Sequence, residues 1–233
     1  MKHLLLFDLD WTLIYTGGAG IRALNHAFEK QFGVANAMKA VSPDGKTDPA
    51  ICREMVRVHL GRPAADEEIG QLCRGYLDQL ALEIPHGLGY RILPGISELL
   101  EALVKRADVM LGLGTGNLEE GARIKLARAD FMKYFSFGGF GSDAEARPEV
   151  LRTGVRRGEA IAERKFHPHD VFVIGDNRRD VEAGKAIGAT TVAVASGPMS
   201  FEELEKTSPD FIFHDLSNTA EVLEVLTRHV SKV

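Results

Sequence analysis

Leu4-Leu5-Leu6-Phe7-Asp8-Leu9-Asp10-Trp11-Thr12-Leu13 begins as a short apolar run and ends in two carboxylates two positions apart. Such a run matches a strand buried on both faces, the environment of a parallel sheet. Ligands of open parallel sheets gather beyond the carboxyl ends of the strands. Asp8 and Asp10 fall at that place, with Thr12 just behind them. Two carboxylates this close repel each other unless a cation or a shared proton intervenes. A hard divalent ion such as magnesium takes oxygen ligands and keeps room for phosphate. By itself the segment reads equally well as a strand ending in an acidic turn.

Beyond it, Tyr15-Thr16-Gly17-Gly18-Ala19-Gly20 reads as a flexible turn, and Ile21, Leu24, Phe28 and Phe32 then recur at helical spacing. Asp44-Gly45-Lys46-Thr47-Asp48 reads as a loop, with Asp48 as N-cap and Pro49 at the first helical position. Ile51, Met55 and Val58 mark a second helix, and Ile69, Leu72, Cys73, Tyr76 and Leu80 a third. No strand pattern stands between about residues 16 and 90. From Pro94 onward helices alternate with the strands Val109–Gly114, Tyr134–Phe137, Val171–Ile174, Thr191–Ala195 and Phe211–Phe213, and a last helix starts near Asn218. That alternation predicts an α/β fold, a doubly wound parallel sheet with an inserted all-helical cap domain. The expected boundaries are 1–15 and 91–233 for the core and 16–90 for the insert.

The bulk properties narrow the class. Among 233 residues, 45% are hydrophobic and 26% charged, an ordinary balance for a globular protein. The formal net charge of -5 argues against a general nucleic-acid binder. No apolar run approaches the roughly 20 residues of a membrane span, and acidic residues interrupt the N-terminal run too early for a signal peptide. Cys52 and Cys73 both fall in helical patterns, so reduced buried thiols and a cytoplasmic setting are expected.

Further polar residues close other strands. Gly114-Thr115-Gly116-Asn117 supplies a hydroxyl and glycines that let backbone N–H groups approach an anion at a helix N-terminus, or simply a turn in which Asn117 caps the helix. Gly175-Asp176-Asn177-Arg178-Arg179-Asp180 places Asp176 at a strand tip and Asp180 about one helical turn later. Arg147, just before Pro148, stands at a helix entrance, while Arg152, Arg156, Arg157 and Arg164 read as solvated surface.

Together these pieces resemble the haloacid dehalogenase superfamily of aspartate-nucleophile hydrolases. Its first motif is seen as Asp8-Leu9-Asp10-Trp11-Thr12, its second as Thr115, and its fourth as Gly175-Asp176 with Asp180. The helical insert after the first motif is similar to the cap of the phosphoglycolate phosphatase and β-phosphoglucomutase branch. Two positions depart from the pattern: Trp11 stands where glycine is usual, and Arg147 where the third motif usually has lysine. Lys165 lies only 11 positions before Asp176 (176 − 165), too near to serve instead.

The resemblance implies a phosphatase acting on a small phosphorylated metabolite through an aspartyl-phosphate. Asp8 would attack phosphorus, and Asp10 would act as general acid and then base. Mg2+ would be held by Asp8, the Asp10 backbone carbonyl and Asp176, with Asp180 in support. Thr115, Arg147 and the backbone at Gly116 and Asn117 would stabilise the transferring phosphoryl, and Lys46 would reach the substrate from the cap. Rival readings are a sugar-phosphate mutase, a phosphonate hydrolase using Lys46 as a Schiff base, a receiver-like signalling domain, and a non-catalytic relative that binds phosphorylated ligands. No nucleic-acid or membrane partner is expected, and either a monomer or a homodimer fits.

Overall fold

The computed structural model describes residues 2–228. In chain order the elements are β1 (His3–Phe7), β2 (Ile14–Thr16), α1 (Ala19–Phe32), α2 (Asp48–Leu60), α3 (Asp66–His86), β3 (Tyr90–Ile92), α4 (Ile96–Val104), β4 (Val109–Gly114), α5 (Glu119–Ala127) and β5 (Gly138–Gly139). They continue as α6 (Arg147–Ala162), β6 (Val171–Gly175), α7 (Arg178–Ala186), β7 (Thr190–Val194), α8 (Phe201–Glu205), β8 (Phe211–Phe213) and α9 (Thr219–Leu226).

Six strands form a parallel sheet in the order β5-β4-β1-β6-β7-β8. Every residue of β1 is buried, because the sheet carries a core on each face. Leu5 and Phe7 pack with Leu99 and Leu103 of α4, Leu126 of α5 and Val222 of α9. Leu4 and Leu6 pack on the other side with Leu151 of α6 and Ala183 of α7. Each such buried Leu or Phe contributes roughly 1.5–3 kcal/mol. Register then positions the chemistry: Phe7 lies opposite both Leu113 and Ile174. The residues that follow these three, including Asp8, Thr115 and Asp176, therefore emerge at one edge of the sheet.

Helices α1, α2 and α3 form a cap with its own core, built on residues such as Phe28, Met55, Leu72 and Tyr76. Cys52 and Cys73 sit in that core as free thiols, their sulfurs 3.9 Å apart. Among the described residues no helix is long and apolar enough to cross a membrane.

Three local expectations are corrected. Tyr15 and Thr16 belong not to a flexible turn but to β2, which pairs antiparallel with β3 (Tyr15 opposite Arg91) to join the two chain crossings between core and cap. A three-residue strand has too few positions to show a period, and its partner lies far along the chain. Tyr134–Phe137 is not a strand: Met132–Tyr134 is a 3-10 turn, and β5 is only Gly138 and Gly139, preceded by Phe137 O accepting from Leu113 N–H at 3.1 Å. Helix α6 explains the glycine at 139, since a Cβ there would lie 1.9 Å from the Val150 carbonyl oxygen. Asp48 is not an N-cap either. Thr47 is the capping residue, Asp48 starts α2, and Pro49 follows at the second position.

Candidate active site

Asp8 follows β1 directly, and its backbone N–H donates to Ile174 O at 2.8 Å. Arg147 is the first residue of α6 and is buried. Its Nη2 lies 2.9 Å from Asp8 Oδ1 and 2.6 Å from Asp180 Oδ1, while its Nη1 is buried without a hydrogen-bond partner. Burial works against the charged guanidinium, but Asp8 and Asp180 outweigh it and hold its pKa above the ordinary value. Lys165, by contrast, is exposed and paired with Glu159.

Asp180 stands in the first turn of α7, where it accepts from the Asn177 amide at 2.7 Å and completes a capping box. Burial pushes its carboxyl up, with Arg147 opposing. Asp176, also buried, takes a long contact of 3.5 Å from Asn177 Nδ2. Burial first, then Asp180 and Asp8, raise its carboxyl well above the usual range. One oxygen from each of Asp8, Asp176 and Asp180 lies within 4.8 Å of the others. Three converging acids against one guanidinium leave an excess of negative charge, and an all-oxygen donor set of this kind fits a hard divalent cation.

The Asp10 carboxylate stands apart from this trio. Its Oδ2 accepts from Lys125 Nζ at 2.7 Å and from Asn117 Nδ2 at 2.9 Å. Lys125 also donates to Asn117 Oδ1 at 2.6 Å, and Asn117 Nδ2 reaches Thr115 Oγ1 at 2.8 Å. Asn117 is thus a buried bridge between strand ends rather than a helix cap, the N-cap of α5 being Leu118. Sequence reasoning missed Lys125. Its signal was a lysine on the buried face of α5, beside Ala122 and Leu126 and about two turns beyond Asn117.

The cap closes over these groups. Asp48 N–H donates to Gly116 O at 2.8 Å, and Leu118 N–H donates to Asp48 Oδ2 at 2.9 Å. Burial pushes the Asp48 carboxyl up to about 6, against the pull of Lys125. Glycine at 116 permits the approach, because a Cβ there would sit 2.2 Å from Lys46 O and 3.2 Å from Arg147 Nη1. Lys46 itself forms an ion pair with Glu54 of α2.

Trp11 occupies a turn with φ of 59°, the left-handed conformation that glycine adopts freely and that costs another residue about 1–2 kcal/mol. Ser196 Oγ donates to Trp11 O at 2.5 Å, and the indole stacks on Tyr15 with centroids 4.0 Å apart. Thr12, just behind, is fully buried, and its hydroxyl has no hydrogen-bond partner.

Between core and cap lies a cavity of about 180 Å3. Asp8, Asp10, Asp176, Arg147, Gly116 and Asn117 line it from the core, and Lys46 and Asp48 from the cap. Thr115 and Asp180 are not part of the lining; they contact lining residues Asn117 and Arg147.

A parallel sheet with an acid-lined cavity at its carboxyl edge, closed by a helical insert, defines a capped α/β hydrolytic core. The chain belongs to the haloacid dehalogenase-like hydrolase family, whose model matches residues 5–194. It is 25% identical to a phosphoglycolate phosphatase of Shigella boydii over 91% of this chain and 88% of the relative, and equally identical to one of Escherichia coli over the same shares. A hydrolase from Pseudomonas syringae superposes with a TM-score of 0.75 at 20% identity, covering 98% of this chain and 100% of that one. CbbY from Rhodobacter sphaeroides, solved in complex with phosphate, gives 0.71 at 20% identity, covering 93% and 96%.

Proposed function

We propose that this protein is a Mg2+-dependent phosphatase that hydrolyses a small phosphomonoester through a phosphorylated Asp8. The observation that carries the reading is the buried Asp8 carboxylate facing the cavity, with one oxygen engaged by Arg147. The engaged oxygen is oriented, and the second is available to attack phosphorus in line with the leaving oxygen. Arg147 Nη1, buried beside Gly116 without a partner, is suited to receive a phosphoryl oxygen, where its charge would stabilise the transition state. Asp10, held by Lys125 and Asn117, would give a proton to the departing alkoxide and then take one from the water that cleaves the acyl phosphate. Asp8, Asp176 and the Asp10 backbone carbonyl would hold Mg2+, supported by Asp180; the ion would supply charge neutralisation for the acids and the phosphoryl group.

Lys46 Nζ is already engaged by the Glu54 carboxylate of α2. That supports a positioning role in the cap over a Schiff-base nucleophile, and hence ester over phosphonate chemistry. The curated relatives make 2-phosphoglycolate the reference ester. The deciding assay is phosphate release from a small ester with Mg2+. Wild type should turn over and lose activity in chelator, and Asp8→Asn should be folded and inactive. Near-normal turnover by folded Asp8→Asn would overturn the assignment.

A further inference from the structure

We infer that the leaving-group half of the cavity is built for a neutral, flat, apolar group carrying a single ring, and not for a second anion. The inference rests on the phosphatase reading only for where the phosphate sits.

Its first support is the apolar part of the cavity wall. Trp11 and Tyr15, stacked at 28°, line the cavity together with Ile21, Leu24, Ile51 and Met199. Ile21, on α1, presents an apolar side chain with 45% of its surface accessible. Trp11 stands there at a positive φ of 59°.

Charge is the second support. The three cations that line the cavity each already face a carboxylate: Lys46 with Glu54, Lys125 with Asp10, and Arg147 with Asp8 and Asp180. Arg91 does not line it; its guanidinium lies over the Tyr15 and Trp11 rings, 4.4 and 5.5 Å from their centroids. Carboxylates outnumber cations in the lining. A substrate carboxylate would enter beside these acids while every lining cation is already engaged, a costly placement. An aromatic ring instead gains a stacking surface. The volume of about 180 Å3 lies below the roughly 300–1,000 Å3 of drug-sized sites, which suits one ring rather than a nucleotide.

The test separates this inference from the hydrolase reading. Trp11 is the chain's only tryptophan, so its emission reports occupancy whether or not catalysis occurs. The protein with Mg2+ would be titrated with benzylphosphonate and with phosphonoacetate, one bearing a ring and the other a carboxylate. Benzylphosphonate should shift Trp11 emission and bind at least tenfold more tightly; equal or tighter binding of phosphonoacetate, or an unresponsive Trp11, overturns the inference. In parallel, kcat/KM would be compared for benzyl phosphate, ethyl phosphate and 2-phosphoglycolate. Trp11→Gly relieves the backbone conformation and should fold; it should reduce the benzyl-to-ethyl preference about tenfold. Ile21→Lys, at a half-exposed position, should move preference toward 2-phosphoglycolate. Unchanged ratios in both variants would also overturn it. Benzylphosphonate binding without turnover of any ester would sink the phosphatase reading and leave the apolar subsite standing.

Discussion

Lys125 Nζ and Asp10 Oδ2 lie 2.7 Å apart, joining α5 to the loop after β1. Lys125 is buried, whereas the Asp10 side chain keeps 36% of its surface. The lysine therefore aims the carboxylate into the cavity through a contact sheltered on one side. Lys125→Met fills similar volume but removes both donations, to Asp10 and to Asn117. Turnover should fall about tenfold to a hundredfold, less than the roughly 10²–10⁴-fold worth of an acid–base group itself because Asp10 remains and only its positioning is lost, with a smaller change in KM. A kcat within twofold of wild type would show that Lys125 only fills space.

Arg147 compensates acids that are otherwise crowded. Arg147→Met should destabilise the metal-free protein by roughly 3–5 kcal/mol at neutral pH, since it leaves buried carboxylates unpaired. Melting measured with Mg2+ and with chelator checks this. The loss should be largest in chelator, because a bound dication would replace part of the missing charge.

Asp176 tests the same electrostatics in the opposite direction. Asp176→Asn removes one charge from the repelling trio, so the metal-free variant should melt above wild type. Its stabilisation by added Mg2+ should nearly vanish. A variant that still gains as much from Mg2+ as wild type would remove Asp176 from the ligand set.

Asp48 predicts a pH signature. Its carboxyl titrates at about 6 in the folded protein and near 3.9 when unfolded. Between these values the folded state keeps a proton that the unfolded chain has released, so this group's contribution to stability falls as pH rises from about 4 to about 6. Asp48→Asn has no such proton to lose and keeps an oxygen for Leu118 N–H. Its stability relative to wild type should rise across that window by up to roughly 3 kcal/mol and then level off. Denaturant titrations at pH 4, 5, 6 and 7.5 read it out, and a constant difference across the series would refute it.

Gly116 is one of the points where core and cap touch. Gly116→Ala should leave the sheet intact but force its new methyl against Lys46 O. Overpacking of this kind costs about 1–3 kcal/mol, which would be felt mainly in cap closure. Expected is a loss in kcat/KM on every ester with little change in the melting of the core; an unaffected kcat/KM would mean that the loop yields freely.

The alternation of strands and helices, the two-sided burial of β1, the helical insert, and Asp8, Asp10, Asp176 and Arg147 as site candidates were all legible in the amino-acid sequence. Each is a local pattern: an apolar period, a carboxylate following an apolar run, a cation at a helix entrance. Tertiary structure alone decided the β2–β3 ribbon, the confinement of β5 to two glycines, the turning of Asp10 toward Lys125, and the role of Asp48 as a bond between cap and core. In these cases the partner is distant in sequence, as Lys125 is from Asp10 across 115 positions, and the residue type by itself reads as something ordinary. A lysine on a helix is usually solvated and a glycine pair usually marks a turn; only the closeness of a second element shows that the lysine is buried against an acid and that the glycines let a helix pass. Trp11 combines both kinds of information. Sequence marked it as out of pattern, and the fold turned that departure into a wall of the cavity, where the indole stacks on Tyr15.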